Sequence, residues 1–340
     1  MLGLHPLPRT IGAALRDIEH QREHVRHSSL RDLVRLAREP EHRASALAAL
    51  ERTLQKDQKS GLRVAAALGL ADAEAHESRA ALLAALDDRE LEVRQFALLA
   101  LGEIAPLGDV EVAGRLRALA QASDAALRFQ ALVALDRVAP ETSEPALERA
   151  ASDSDDEVRA MAFRILARRP AAGRAPAWVT DKALAALSGT APAVSAAAAL
   201  LLAEHGDRRA EPVIVGVLDG SVAAPSDDVQ SAIEFAAELG LERARPALQK
   251  RAFAPWGLRS NPLAWHACVA LARLGDERAR RAILKRLHAW SFDARTLAVA
   301  AAGQARLVEA RSRIESFRRD PSLADPDAVA EALRALGAPD

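Results

Sequence analysis

Tyrosine is absent from this chain, cysteine occurs once, and aromatic residues make up only 3% of it. Lysine is scarce as well: of the 46 basic residues 5 are Lys and 41 are Arg. The lone Cys268 cannot close an internal disulfide, which excludes a disulfide scaffold and fits a reducing compartment. The longest apolar run, Ala196 to Ala203, is far too short to cross a bilayer. Residues Met1 to Leu15 are interrupted by His5, Pro6, Pro8 and Arg9 and do not read as a signal peptide, so the expected location is cytoplasmic. The common chemical signatures are missing too: no GxGxxG or GxxxxGKS/T phosphate loop, no GxSxG nucleophile elbow and no CxxC pair occurs. The chain is therefore expected to be no enzyme, with no catalytic residue, no cofactor and no metal.

What is present is alanine, 79 residues in 340, in a chain that is 50% hydrophobic and 27% charged. An Ala- and Leu-rich composition favours helices over sheets and is too apolar for disorder. A repeat organises it. The apolar residue that opens each second helix recurs as Val25, Leu62, Val93, Leu127, Val158, Val194, Val229, Leu263 and Val329, at intervals of 31 to 37 residues apart from the last. That last gap, 66 residues, leaves room for one diverged copy around Ala294 to Gly303. A second register agrees, since Gly206-Asp207, Gly240-Leu241 and Gly275-Asp276 recur at 34 and 35 residues. Each period holds two amphipathic helical patterns, as in Leu82, Leu83, Leu86 and then Val93, Ala97, Ala100, Leu101. Turn residues such as Asp87-Asp88, Ser123-Asp124, Ser152-Asp153 and Ser226-Asp227 separate the two and are placed to cap the second helix.

In three repeats an Asp precedes an aliphatic-Arg pair by five and six residues: Asp57 with Leu62-Arg63, Asp88 with Val93-Arg94, and Asp153 with Val158-Arg159. Arg26 and Arg128 keep the Arg, with His20 and Ala122 in the Asp position, while Ser195, Gln230 and Ala264 replace the Arg later on. This pattern resembles the HEAT-repeat family and, more loosely, its bacterial variant related to phycobilin-lyase repeats. The resemblance implies an all-α fold, an α-solenoid (right-handed superhelix) of about ten stacked antiparallel helix pairs. It would run through residues 1–340 as a single array, with repeats at roughly 8–38, 40–71, 75–104, 108–138, 143–168, 176–205, 208–239, 242–274, 277–305 and 308–337. It also implies that Arg63, Arg94 and Arg159 join adjacent repeats through the turn Asp and are structural. A stack of this kind presents long surfaces instead of one deep pocket.

The net charge of −1 hides a segregation: residues 1–63 carry +4, 64–242 carry −13, 243–319 carry +12 and 320–340 carry −4. The basic segment also holds three of the four Trp residues. Its candidate partner-binding residues are Trp256, Arg259, Trp265, His266, Arg273, Arg280, Arg281, Lys285, Arg286 and Trp290, because Arg and Trp together mark binding hot spots. Other clusters read as structural. His20, Glu23, His24 and His27 include an i,i+4 His pair that suits a metal on one helix face, against a solvated turn. Residues Ser152 to Glu157 imitate a calcium loop but lack its glycine and distant Glu, so capping explains them better. Cys268 shares a column with Leu98, Leu132 and Phe163 and reads as core.

Two functions are therefore weighed. The first is a non-enzymatic scaffold or adaptor that binds protein partners. The second is nucleic-acid binding by the basic C-terminal repeats, in the manner of HEAT-like DNA glycosylases. On the expected inner face, the column Arg35, Asp72, Glu103, Arg137, Arg168, Glu204, Leu239, Arg273 mixes signs where a phosphate track should be uniformly positive, which ranks protein first. The acidic middle and basic end also suit head-to-tail self-association. A bilin-protein lyase role, implied by the related repeats, has no further residue behind it.

Overall fold

The computed structural model describes residues 9–169, 176–254 and 262–337. It is 76% helical, and its 20 helices and their connections contain no strand among the described residues. The helices form ten consecutive antiparallel pairs, so the chain is an all-α solenoid. Typical pairs are Pro40–Lys56 with Ser60–Asp72, Val110–Leu119 with Ala125–Val138, and Glu277–Arg286 with Phe292–Gln304. No helix among the described residues is long and apolar enough to cross a membrane. The chain divides into two compact units, Met1–Ile165 and Leu166–Asp340, and the division falls within helix Asp156–Arg168.

In the first unit the second helices stack in series, Glu23–Leu36 on Ser60–Asp72 on Leu91–Ile104 on Ala125–Val138. The periodic apolar residues make this core: Leu33, Leu50, Leu62, Leu70, Leu98, Leu101 and Leu135 are buried. Arginine ties the turns together. Arg63 donates to both carboxylate oxygens of Asp88 at 2.8 Å, and Arg128 makes the same two-pronged bond to Asp153. Arg26 reaches Asp57 at 2.9 and 3.2 Å. In each case the acid lies one repeat further on, so a repeat with no Asp of its own still receives one from its successor. Arg94 has no such partner, because Ala122 stands in the following turn; it bonds the carbonyls of Asp88 and Arg89. All five arginines donate to the carbonyl six residues before them.

The acidic run Ser152–Glu157 is a cap. Asp153 holds Arg128 and accepts the Asp155 N–H, while Asp155 accepts from Glu157 and Val158. Ser226 does not cap; it opens helix Ser226–Glu238, which has no side-chain cap. The histidine cluster is not one helix face. His20 lies in the turn before helix Glu23–Leu36, and its Nδ1 accepts the Arg22 N–H.

The second unit repeats the stacking with Pro192–Glu204, Ser226–Glu238, Pro262–Arg273, Phe292–Gln304 and Pro326–Ala335. Pro192–Glu204 carries the apolar run of the sequence, and every residue from Val194 to Ala203 is buried, as expected of a helix apolar on all sides. Gly206, Gly240 and Gly275 take left-handed φ values of 71°, 62° and 80°, and the following N–H bonds the carbonyl five residues back, the Schellman ending of a helix. Arg306 makes the same ending with φ 52°, as does Glu74 in the first unit with φ 50°. The diverged ninth repeat is also closer to the others than its sequence suggests. Its Ala294-Arg295 pair restores the arginine: Arg295 donates to the Ala289 and Trp290 carbonyls at 2.9 Å and to the Leu323 carbonyl at 2.5 Å.

Candidate functional site

The basic segment lies in the second unit, and the first question is how much of its charge is available. Much of it is consumed between repeats. Arg245 bonds Glu242 and the Leu274 carbonyl, and Arg251 bonds the Leu218 and Val217 carbonyls. Arg280 is held by Glu309 at 2.6 Å and Glu277 at 2.7 Å, which raises its pKa further. Arg286 lies over the Trp265 ring, 5.2 Å from its centroid. These groups brace the stack and are not a ligand stripe.

The ten expected binding residues therefore separate. Trp256 and Arg259 lie outside the described residues. Trp265 is buried, 7% exposed, so it packs the core and cannot offer its ring to a partner. His266 is half-buried with Nδ1 3.7 Å from Glu234. Arg273 is exposed but sits at the end of a different helix, Pro262–Arg273. Arg280 and Arg286 are tied up as described.

Arg281, Lys285 and Trp290 remain. Arg281 and Lys285 are exposed one turn apart on helix Glu277–Arg286; Arg281 bonds the Glu277 carbonyl and neither bonds a carboxylate. His288 continues this face one turn on and is also exposed. Trp290 is 100% exposed, on a turn whose carbonyls are clamped by Arg295. Phe292, at 40%, opens the next helix beside it. The two bonds from Arg295 leave the backbone of this turn little freedom. The clamping Arg295 was missed in the sequence; its position one residue after the opening Ala294 was the available signal.

Cys268 is fully buried against the Ala279 carbonyl, and burial, with Asp276 adding to it, pushes its thiol up to about 12, far from a reactive thiolate. Glu39, Glu41 and His42, at the start of helix Pro40–Lys56, bring ligand atoms within 4.8 Å of one another. Grooves between repeats in the first unit, one of about 490 Å³ lined in part by Arg52, Lys56 and Lys59, are open to solvent.

No family model and no curated protein matches this chain. Among solved structures, the X-ray structure of YibA from Escherichia coli is similar at 18% identity, covering 78% of this chain and 93% of YibA, with a TM-score of 0.54. An engineered protein is similar at 17% identity over 96% of this chain and 98% of its own, with a TM-score of 0.42. The likeness to YibA shows a shared fold, a stack of helical repeats.

Proposed function

We propose that this protein is a non-enzymatic, cytoplasmic scaffold of the HEAT type that holds a protein partner on the face formed by helix Glu277–Arg286 and the Trp290 turn. The observation that carries the reading is Trp290, wholly exposed on the turn that follows helix Glu277–Arg286, whose Arg281 and Lys285 are also exposed. Aromatic anchors next to Arg are what alanine scans find at interface centres. The Asp-to-Arg bonds between successive turns support the HEAT assignment. Nucleic acid fits this face less well. Asp293, three residues after Trp290, is also exposed, and a strand would need an unbroken positive track.

The test is isolation of the tagged protein from its native cells, with and without nuclease, for wild type, Trp290→Ala and Arg281→Glu/Lys285→Glu. These substitutions are preferable to reversals at Arg280 or Arg286, which would break bonds inside the stack. The expected outcome is a nuclease-resistant protein partner that both variants lose while still folded. Variants that keep every partner, or material that nuclease removes, would overturn the reading.

A further inference from the structure

The groove between the first two repeats arises from unequal helix lengths. Helix Ile11–Asp17 has 7 residues, about 10 Å of helix, and packs on Pro40–Lys56, which has 17, about 25 Å, and is the longest helix among the described residues. The shorter helix therefore leaves the last turns of the longer one uncovered. Their face, Ala49, Arg52, Thr53 and Lys56, is spaced by three, one and three residues and lines a cavity of about 490 Å³. The turn that follows the short helix, from Ile18 to Gln21, lines it too and forms the other wall.

One guanidinium holds the two walls together. Arg26 donates to the His20 and Gln21 carbonyls on one wall, at 2.9 and 3.1 Å, and to both carboxylate oxygens of Asp57 on the other, at 2.9 and 3.2 Å. The Arg26 and Asp57 side chains are only 14% and 11% exposed, so water competes little with this brace. Asp57 also accepts the Lys59 N–H at 2.9 Å, which fixes the turn that carries Lys59. The floor is apolar: Ile18 and Ala49 are buried, and the Thr53 hydroxyl donates to the Ala49 carbonyl of its own helix. A groove braced in this way is formed before any ligand arrives, as small-molecule sites usually are.

The rim is charged and unmatched. Arg52, Lys56 and Lys59 are exposed, and among the described residues no carboxylate pairs with their side chains. Arg52 and Lys56 stand one helical turn apart, where like charges repel and weaken the helix. Nearby cations of the same unit are met: Arg35 by Glu39 four residues on, Arg43 by Glu77, and Arg9 by Asp17 and Asp32. Four cations and two carboxylates line the groove, and the Arg26–Asp57 pair cancels, which leaves three cations against Glu19. We propose that this groove binds a small phosphate monoester, its phosphoryl oxygens held by Arg52, Lys56 and Lys59 and its apolar body lying on Ile18 and Ala49. The excess of two positive charges balances such a group, which is close to a dianion at neutral pH. A guanidinium fork beside two ammonium groups suits its oxygens, and the volume is that of a small-molecule site. The site lies wholly in the first unit and is independent of the Trp290 face.

Isothermal titration calorimetry of the full chain at low salt tests it, with phenyl phosphate as the probe and benzoate, a similar ring bearing a single charge, beside it. Phenyl phosphate binds one-to-one with a Kd of about 1 mM or tighter, and benzoate binds about tenfold more weakly or not at all. Arg52→Gln/Lys56→Gln weakens phenyl phosphate by about tenfold or more, and because both side chains are exposed the circular dichroism spectrum is unchanged. Arg31→Gln, which removes an exposed cation outside the groove, leaves binding as it was. Glu19→Gln removes the opposing carboxylate and tightens binding about two- to fivefold, a gain that damage to the fold would not produce. No saturable binding up to about 10 mM overturns the inference. So does a benzoate affinity equal to that of phenyl phosphate, or a loss in Arg31→Gln equal to that in the double variant.

Discussion

Asp88→Ala offers the sharpest test of how the repeats are joined. The carboxylate it removes accepts Arg63 Nε and a terminal nitrogen at 2.8 Å and the Glu90 N–H at 2.9 Å. The Arg63 and Asp88 side chains are only 4% and 13% exposed, so the guanidinium cannot turn to water when its partner goes. It keeps one bond, to the Asp57 carbonyl, and leaves two charged donors unmet in the stack. Removing one partner of such a buried pair costs about 3–5 kcal/mol, most of it the penalty for the orphaned charge. Asp87 is the internal control. It is the adjacent residue and also pairs with an arginine, Arg115 at 2.7 Å, but the two side chains are 72% and 44% exposed. Asp87→Ala should cost about 0–1 kcal/mol. Urea unfolding followed by circular dichroism reads both, and an unchanged m-value licenses the comparison. Arg63→Met combined with Asp88→Ala should recover much of the loss, because the orphaned charge disappears with its partner. If Asp88→Ala and Asp87→Ala shift the midpoint equally, the arginine bonds contribute nothing special and the account of the stack is wrong.

The same pairs make the fold acid-sensitive. For Asp88 and Asp153 burial alone pushes the carboxyl up, but the arginine bonds, a backbone N–H and the arginine charge outweigh it and hold both below their ordinary 3.8. Their contribution is therefore complete above that value and is lost as pH falls through the lower folded values; melting temperature should drop below about pH 4, and less steeply in Asp88→Asn. A pH-independent melt would refute this. Arg306→Gly should stabilise by about 0.5–1 kcal/mol, since an exposed residue at φ 52° gains from losing its Cβ, and a lowered melting temperature would count against the Schellman assignment. Gly303→Ala should destabilise by about 1–3 kcal/mol despite better helix propensity, because the new Cβ would lie 2.7 Å from Ala332 Cα; a gain would mean the two helices separate freely. Leu101→Ala should cost about 2–4 kcal/mol through the cavity left at a fully buried site, and a negligible effect would displace the core register.

Composition and periodicity pointed to paired helices, and the resemblance implied an all-α solenoid of about ten pairs, which the structure has. The recurring apolar positions are the ones the stack buries: the column Leu98, Leu132, Phe163, Cys268 is buried throughout. The resemblance implied that Arg63, Arg94 and Arg159 join adjacent repeats; Arg63 does so through Asp88, whereas Arg94 and Arg159 bond groups of their own repeat. The sequence did not reveal which turn supplies the acid to each arginine, because the partner lies 25 to 31 residues away. The candidate site was legible only as a region. Composition counts a charge the same whether or not a carboxylate 29 residues away has taken it, as Glu309 takes Arg280. It likewise cannot distinguish Trp265 from Trp290, although one ring fills the core and the other stands in solvent. Availability is a property of what packs against a side chain. In a stack of repeats that is decided by the neighbouring repeats, so the sequence by itself determined the architecture and only the tertiary structure decided which cations and which tryptophan are left exposed.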